Sequence, residues 1–207
     1  MSTVFFDVGM SLDGFIAGLN GGPKNPLGDG GMKIHDWMFR QKAFLQHLQL
    51  EGGETNNQDN DIIQEVIDRI GANIMGKRMF EEGEFNWPEM SPFHSPVFVL
   101  TKEKREPWPR KGGTTFYFVY DDIITVLNKA KDAAGNKDVR ISGGADVIRQ
   151  YLKAGLIDEF NVHLSPLLMG KGNRLFDESI NEKTNVKLEK VIPSNDVVHL
   201  FYQIIKN

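Results

Sequence analysis

Three segments of this chain combine residue types that bind phosphate groups, and the first is GANIMGKR at residues 71–78. Its Gly71, Gly76 and Lys77 have the spacing of a P-loop, in which backbone amides surround phosphates and the next residue is a hydroxyl that ligates magnesium. Arg78 occupies that last position, and the stretch between the two glycines reads as a buried strand rather than a loop. A kinase or ATPase is therefore disfavoured. Gly76 still permits close backbone approach, and Lys77 with Arg78 supplies positive charge for a phosphorylated ligand.

The second segment is VRISGGADVIRQYL at residues 139–152. An apolar strand delivers Ser142, Gly143 and Gly144 to the start of a helix, where a phosphate can approach the backbone amides and the helix dipole favours an anion. A tight strand-to-helix turn also needs glycine for its dihedral angles, so these residues alone leave a purely structural role open. No GxGxxG pattern is present, which argues against a Rossmann fingerprint.

The third segment is Thr101-Lys102, directly after the apolar run VFVL. Each basic residue taken alone is most simply a solvated surface charge. All three segments, however, follow a predicted strand, and open α/β sheets bind their ligands at the carboxyl ends of the strands. Together they predict a phosphate-binding site at one end of a sheet.

Length and composition are those of a globular protein, with 207 residues of which 40% are hydrophobic and 25% charged. We expect one domain covering residues 1–207. The net charge of −4 disfavours nucleic acid as a partner. Cysteine is absent from the sequence, which removes disulfides and thiolate chemistry and favours a cytoplasmic location. The sequence has no secretion signal and no apolar stretch near the roughly 20 residues that span a membrane, so no membrane association is expected.

Two other kinds of chemistry find little support in the sequence. GMSLD at residues 9–13 differs from the nucleophile elbow GxSxG because Asp13 replaces the final glycine, which disfavours a serine hydrolase. The five histidines include no close ligand pair and no HExxH pattern, so no metal site is predicted. His163 and His199 are expected to be structural residues on strands.

The hydrophobic pattern predicts an α/β fold in which strands and helices alternate. Its last two strands are joined by a turn at residues 193–196 without a helix between them, which predicts an antiparallel hairpin at the edge of a mixed sheet of about eight strands. Asp61 and Gln64 have the spacing of a capping box, and Gly71 is expected to end that helix. The predicted strands are residues 3–9, 72–75, 97–101, 115–119, 139–142, 158–165, 185–192 and 197–205, and the predicted helices include residues 34–50, 121–133 and 145–154.

Residues 18–31, GLNGGPKNPLGDGG, contain too many glycines and prolines for regular structure. They form either a mobile surface loop or a lid over a site, and the sequence leaves both open.

Five segments together resemble the dihydrofolate-reductase-like superfamily, and more closely the C-terminal reductase domain of the riboflavin-biosynthesis deaminase-reductase, often called the RibD C-terminal domain. The resemblance spans about residues 2–206, and its most specific parts are SLDG and the stretch from GG to LIDE. It implies a three-layer α/β fold and NADPH as the cofactor. The segments are SLDGFIA at 11–17, IMGKRMFE at 74–81, VLTK at 99–102, ISGGADVIRQYLKAGLIDEF at 141–160 and SPLLMGKGNRLF at 165–176.

Individual residues then receive candidate roles. Asp13 in SLDG is the candidate catalytic residue, which would orient the substrate or assist proton transfer, although Asp-Gly is also a common turn pair. Asp36 and Trp37 lie where the superfamily's substrate helix is expected, and Trp37 could stack on a flat heterocycle or belong to the core. The implied cofactor-binding residues are Ile16 and Ala17 beside the nicotinamide, Gly76, Lys77 and Arg78 near the phosphates, Thr101 and Lys102 near the adenosine ribose and its extra phosphate, and Ser142, Gly143, Gly144, Ala145, Asp146 and Val147 at the pyrophosphate.

The resemblance implies an NADPH-dependent reductase of a small heterocyclic or ribosylated substrate, with 5-amino-6-(5-phosphoribosylamino)uracil as the nearest family substrate. The sequence lacks the proline-tryptophan segment and the following helix acid that would point to folate. It also lacks the aspartate-alanine pair and the DNP-like stretch typical of the riboflavin reductases. The alternative is a noncatalytic nucleotide-binding or regulatory protein with the same fold. A homodimer is expected from the resemblance and from the sheet edge that the C-terminal hairpin provides.

Overall fold

The structure is a computed structural model that describes residues 2–180 and 184–206. Its helices are α1 (Lys42–His47), α2 (Gln58–Arg69), α3 (Lys77–Glu84), α4 (Ile123–Ala134) and α5 (Ala145–Lys153), with two short 3-10 helices at Gly31–His35 and Met38–Arg40. Its strands are β1 (Val4–Ser11), β2 (Phe15–Ala17), β3 (Ile70–Gly76), β4 (Val97–Leu100), β5 (Trp108–Pro109), β6 (Thr115–Val119), β7 (Asp138–Gly143), β8 (Glu159–Ser165), β9 (Asn173–Arg174), β10 (Asn185–Pro193) and β11 (Val198–Ile205). None of the described helices combines the length and the apolar character that crossing a membrane requires.

The described strands form one large sheet of nine strands in the order β10-β11-β8-β1-β7-β3-β4-β6-β5, and β2 pairs with β9 in a separate small sheet. The strands from β8 through β6 are parallel, whereas β11 and β10 add an antiparallel hairpin at one edge. The predicted α/β class and the antiparallel C-terminal edge are confirmed. The sheet has nine strands rather than about eight because β5 is only two residues long, too short to give a pattern in the sequence.

Side chains alternate between the two faces of β1, and this alternation divides the interior into two parts. Val4 and Phe6 pack with residues of α4 and α5 into the larger hydrophobic cluster. Phe5 points to the opposite face, where the guanidinium of Arg69 from α2 lies 4.1 Å from the centre of its ring. Helices therefore cover both faces of the sheet, as the three-layer prediction requires.

The face that packs against α2 and α3 is less uniform than the other. At its α3 end, Phe80 joins Met75, Val97, Val99 and Phe116 in an apolar cluster. Toward β1 and β8 the same face carries polar side chains, including Asp7 and His163, which are buried. A polar zone is thus buried between the sheet and the helices at the centre of the molecule.

The predicted helix over residues 34–50 is wrong in extent. The two 3-10 helices occupy its first part, and only α1 is α-helical. The break lies at Gln41, whose backbone is extended with φ −94° and ψ 131°. Here the chain pairs with Glu54, which donates its N–H to the Arg40 carbonyl and accepts from the Lys42 N–H. This pairing is non-local, so helical periodicity could not reveal it.

The ends of α2 also differ from the prediction. The helix begins at Gln58, and the cap is Asn57, whose Oδ1 accepts a hydrogen bond of 2.8 Å from the Asn60 N–H. Asp61 therefore lies within the helix and does not cap it. Gly71 belongs to β3 rather than to a helix cap. A side chain is excluded there by packing, because a Cβ atom at Gly71 would lie 2.7 Å from the Ala134 carbonyl oxygen.

Candidate active site

Two of the three predicted phosphate-binding segments meet at the carboxyl ends of adjacent strands. Met75 on β3 pairs with Gly143 on β7, and α3 and α5 begin directly beyond these strand ends. A Cβ atom built on Gly76 would lie 3.9 Å from the Gly144 nitrogen and 2.9 Å from Cγ2 of Val147. The absence of a side chain at Gly76 is therefore what allows the two turns to lie side by side.

Gly143, which is buried, and Gly144, which is partly exposed, form the turn of this arrangement. Gly143 has a φ of +123°, which side chains disfavour, and its peptide bond to Gly144 is cis. Gly144 has an ordinary φ of −67°, and the nearest neighbour of a Cβ built there would be Arg78 Nη2, 3.8 Å away. The two glycines thus border space next to a guanidinium whose side chain is 56% exposed. This geometry fits a phosphate group of a dinucleotide.

Most of the other side chains of the second segment are buried in the protein interior. The Ser142 hydroxyl is buried and donates a hydrogen bond of 2.8 Å to Oδ1 of Asn73 on β3. Ala145 and Val147 are buried under α5, and Asp146 is exposed and pairs with Arg149 of its own helix. Within this segment, Gly144 is therefore partly exposed and Asp146 is exposed, whereas Ser142, Ala145 and Val147 are buried.

The basic residues of the other two segments differ in how freely they can bind a ligand. Lys77 Nζ already lies against the carboxylates of Glu103 and Glu81, and these two hydrogen bonds raise the pKa of Lys77. Thr101 is buried at the end of β4, where its hydroxyl accepts the Glu103 N–H at 3.1 Å. Lys102 is exposed. Arg78 and Lys102 are thus the cations best placed to meet a phosphorylated ligand.

Ile16 and Ala17 form most of the short strand β2, which follows the turn at the end of β1. Ile16 packs against the larger hydrophobic cluster. Two glycines lie close to Ala17. A Cβ atom at Gly172 would lie 2.3 Å from the Ala17 carbonyl oxygen, and a Cβ atom at Gly31 would lie 3.5 Å from the Ala17 Cα. Since β1 and β7 are adjacent and parallel, this segment lies at the same end of the sheet as the glycine turn.

The Asp13 carboxylate links the SLDG turn by hydrogen bonds to the loop that contains Met169 and Gly170. Its carboxylate accepts the Ser11 hydroxyl at 2.6 Å, the Met169 N–H at 3.1 Å and the Gly170 N–H at 2.6 Å. The Ser11 hydrogen bond, opposed by partial desolvation and reinforced by the two amides, lowers the pKa of Asp13 to about 2. Asp13 is therefore ionised near neutral pH, so it holds no proton to donate, whereas orienting a substrate and accepting a proton both remain predicted roles.

Asp36 and Trp37 are adjacent but lie in different environments. Asp36 is exposed, at the end of the first 3-10 helix. Trp37 is only 2% exposed and packs on His163 and His199, with ring centres 5.0 and 5.1 Å apart. Of the two possibilities left open for Trp37, the structure places it in the core, as one wall of the polar zone.

Sequence reasoning missed the polar zone itself. Oδ2 of Asp7 accepts hydrogen bonds from Asn161 Nδ2 at 2.9 Å and from the imidazole of His163 at 3.0 Å. Burial opposes the charge of Asp7, but His163, Asn161 and the nearby Arg140 more than offset it and hold the pKa of Asp7 below its usual range. The available signal was the charged residue in the middle of VFFDVGM, a strand that is otherwise apolar.

His35 lies over the sheet at the margin of this zone. Its ring rests on β1, because a Cβ atom at Gly9 would lie 3.1 Å from His35 Nδ1. Nε2 of His35 is buried and has no hydrogen-bond partner among the described residues. Burial, and then the proximity of His163 and Arg140, lower the pKa of His35 to about 4. The imidazole is therefore neutral at pH 7.

The loop at residues 18–31 is attached to α3. The Leu27 N–H donates a hydrogen bond of 3.2 Å to Glu82 Oε2, and Asn86 Nδ2 donates one of 2.7 Å to the Pro23 carbonyl. Glu82 also lies 3.7 Å from the guanidinium of Arg78. The loop therefore contacts α3, the helix that begins directly after Gly76.

Two grooves lie away from this end of the sheet. One, of about 490 Å³, is bordered by α2 and β11 and includes Arg69, Glu159 and Phe201. The other, of about 360 Å³, lies on the opposite face and is lined by apolar residues such as Phe160 and Leu200. Neither includes the strand ends that carry the predicted phosphate-binding segments.

Solved structures define the class of this fold. A dihydrofolate reductase from Enterococcus faecalis complexed with NADP(H) matches with a TM-score of 0.55 at 11% identity, covering 99% of this chain and 97% of that one. A candidate riboflavin biosynthesis protein from Shewanella sp. PV-4 matches with a TM-score of 0.67 at 21% identity, covering 100% of both chains. The chain therefore has a dihydrofolate-reductase-like fold.

The sequence gives a narrower assignment. The chain belongs to the RibD C-terminal domain family, whose model matches residues 2–200. It is also similar to the uncharacterized protein YyaP of Bacillus subtilis (strain 168), with 26% identity over 204 residues, 96% of this chain and 93% of YyaP. The family resemblance stated from the sequence motifs is confirmed.

Changing Asp13 to asparagine is expected to lower the melting temperature at pH 7, because an amide cannot replace both carboxylate oxygens toward Ser11, Met169 and Gly170. The pKa of Asp13 is depressed, so its stabilising effect is present above the ordinary value of 3.8 and is lost as the pH falls toward about 2. Thermal melts at pH 7 and below pH 3 measure the difference. The matched change Asp146→Asn removes only an exposed ion pair and should matter little. Equal melting temperatures for Asp13→Asn and the unaltered protein at pH 7 would contradict the fastening role.

Changing His35 to glutamine is expected to make the protein less sensitive to acid. Since the pKa of His35 falls from 6.5 to about 4 on folding, the unfolded chain binds the extra proton between these values and stability is lost there as the pH falls. The variant should reduce the slope of unfolding free energy against pH by up to about 1.4 kcal/mol per pH unit. Urea titrations at several pH values from 6.5 to 4 provide the measurement. The exposed neighbour Lys33 offers a control as Lys33→Gln, and an unaltered slope in His35→Gln would contradict the buried neutral imidazole.

Proposed function

We propose that this protein is an NADPH-dependent reductase of a small heterocyclic or ribosylated substrate. The observation that carries the proposal is the meeting of Gly76 with Gly143 and Gly144 at adjacent strand ends, beside the guanidinium of Arg78. Backbone amides without side chains, a positive charge and the beginning of α5 together suit the pyrophosphate of a dinucleotide.

The extra phosphate of NADPH has a separate candidate contact. Lys102 is exposed at the end of β4, two strands from the glycine turn in the order β7-β3-β4. Glu103 is occupied by Lys77, so its negative charge is partly compensated. This distribution supports binding of a phosphate near Lys102 and therefore a preference for NADPH over NADH.

Membership of the RibD C-terminal domain family and the fold shared with a reductase complexed with NADP(H) support the same proposal. Within the family, reduction of 5-amino-6-(5-phosphoribosylamino)uracil or a related compound is the substrate we favour. When bound, NADPH supplies the hydride. The protein's part is to hold the acceptor close to it, exclude water and manage one proton. The ionised Asp13 suits the orienting part of this task.

A noncatalytic nucleotide-binding protein is the second candidate. The observation that favours it is the position of the buried Trp37 and of His35, whose ring lies against Gly9, because both cover the sheet face beside β1 where a substrate would need space. Binding of NADPH without turnover of pyrimidine, pterin or flavin precursors would support this alternative over the reductase.

Titration with NADPH and with NADH, followed by protein and cofactor fluorescence, tests the proposal first. We expect saturable binding of both with a preference of about tenfold or more for NADPH, a free-energy difference of about 1.4 kcal/mol. Lys102→Gln should reduce that preference without changing NADH affinity. If neither NADPH nor NADH binds, the basis of the proposal is removed.

The glycine turn is tested by changing Gly144 to alanine. Its φ of −67° accepts a side chain, so the fold should persist, while the added methyl group would occupy the space beside Arg78. We expect NADPH affinity to fall about tenfold or more. Gly22→Ala is the control, because a Cβ atom at Gly22 meets nothing within 4 Å. Unchanged affinity in a folded Gly144→Ala variant would place the pyrophosphate elsewhere.

A further inference from the structure

Four buried side chains from four different elements form a continuous hydrogen-bonded chain in the polar zone. His163 Nε2 lies 3.0 Å from Asp7 Oδ2, and His199 Nε2 lies 2.9 Å from Asp59 Oδ1. The two imidazoles meet each other through their Nδ1 atoms, which are 2.7 Å apart. The order is therefore Asp7, His163, His199, Asp59, with a carboxylate at each end.

The number of protons on this chain follows from its geometry. Each carboxylate accepts a hydrogen bond from Nε2 of its histidine, so both Nε2 atoms carry a proton. If the two rings held only these protons, two lone pairs would face each other at the 2.7 Å contact between the Nδ1 atoms. A hydrogen bond there requires a third proton, so one of the two rings is an imidazolium.

The proton could instead lie on a carboxyl group, but both carboxylates are stabilised as anions. Asp7 also accepts the Asn161 amide and is close to Arg140, whose Nη2 donates to the Asp7 carbonyl at 3.0 Å. Asp59 lies in the first turn of α2, where the helix dipole favours a negative charge. The third proton therefore belongs to the rings.

Charge balance gives the same result. The groups facing this zone are Asp7 from β1, Asp59 from α2, Arg140 from β7, the two histidines from β8 and β11, and the neutral His35 from the first 3-10 helix. With an imidazolium, two negative charges are matched by two positive ones. Without it, a net negative charge would be buried, which is strongly unfavourable.

The surroundings of His199 favour a charge on His163 rather than on His199. Burial, opposed by the hydrogen bond to Asp59 and reinforced by His163, lowers the pKa of His199. Trp37 does not distinguish the two rings, because its ring centre lies 5.0 Å from that of His163 and 5.1 Å from that of His199.

We propose that His163 and His199 share a third proton, and that the resulting imidazolium of His163 holds Asp7 as an ionised acceptor in the polar zone. Both hydrogen bonds from Asn161 and His163 go to Oδ2 of Asp7, and Oδ1 accepts from neither of them. His163 and His199 are positioning residues, because they act through Asp7. The link to catalysis rests on the proposed reductase function, whereas the protonation of the pair does not.

The protonation is tested on the full-length, ligand-free protein by ¹⁵N NMR of the imidazole nitrogens at pH 7.5. We expect both nitrogens of His163 to be protonated, and His199 to carry a proton on Nε2 alone. Two neutral rings would overturn the proposal. Because no cofactor is used, this outcome is separate from the NADPH titration, and either result can fail without the other.

Two variants of His199 separate positioning from packing. Glutamine can donate to Asp59 and accept from His163, so His199→Gln should leave His163 doubly protonated. His199→Leu fills the space but cannot accept that proton, so His163 should become neutral and the ¹³C signal of the Asp7 carboxylate should report protonation at a higher pH. A neutral His163 in His199→Gln would overturn the proposal even if His199→Leu fails to fold. An unchanged Asp7 titration in a folded His199→Leu would do the same.

Discussion

The parallel pairing of β1, β7 and β3 is the constraint on which the rest of this structure depends. It brings the carboxyl ends of three strands to one end of the sheet, and so places Gly143 and Gly144 beside Gly76 although Gly76 and Gly143 are 67 positions apart in the sequence. Small residues at these ends are required by the backbone, because a side chain at Gly76 would overlap Val147. Space for a ligand is therefore a product of strand packing rather than of a flexible loop.

The same sheet separates two kinds of interior. Toward α4 and α5 it is apolar throughout, and this face supplies most of the buried hydrophobic side chains. Toward α2 it contains ions that are matched among themselves. Buried ion pairs contribute little net stability compared with apolar packing, so the second face is better suited to specificity than to strength. The face toward α4 and α5 thus mainly stabilises the fold, whereas the face toward α2 carries the polar groups.

Local patterns predicted most of the strands and helices, and non-local contacts account for what they did not predict. Apolar runs located the central strands within one or two residues, and the sequence also predicted that Gly143 and Gly144 lie between a strand and a helix. The helix over residues 34–50 failed because Gln41 pairs with the strand-like segment at Glu54. The bond between Asp7 and His163 joins residues 156 positions apart, and only the register of β1 and β8 brings them together. The hydrogen bond from the buried Ser142 hydroxyl to Asn73 is likewise non-local and could not be read from the sequence.

The hydrogen-bonded series of Asp7, His163, His199 and Asp59 has a consequence for how this protein can change over evolutionary time. Its members come from four separate segments, and loss of any one leaves a buried charge or a lone pair without a partner, which is far more damaging than loss of the whole set. Such residues are strongly non-additive in their effects. Relatives should therefore either keep the entire group or replace it together with apolar residues, so that its inheritance is all or none.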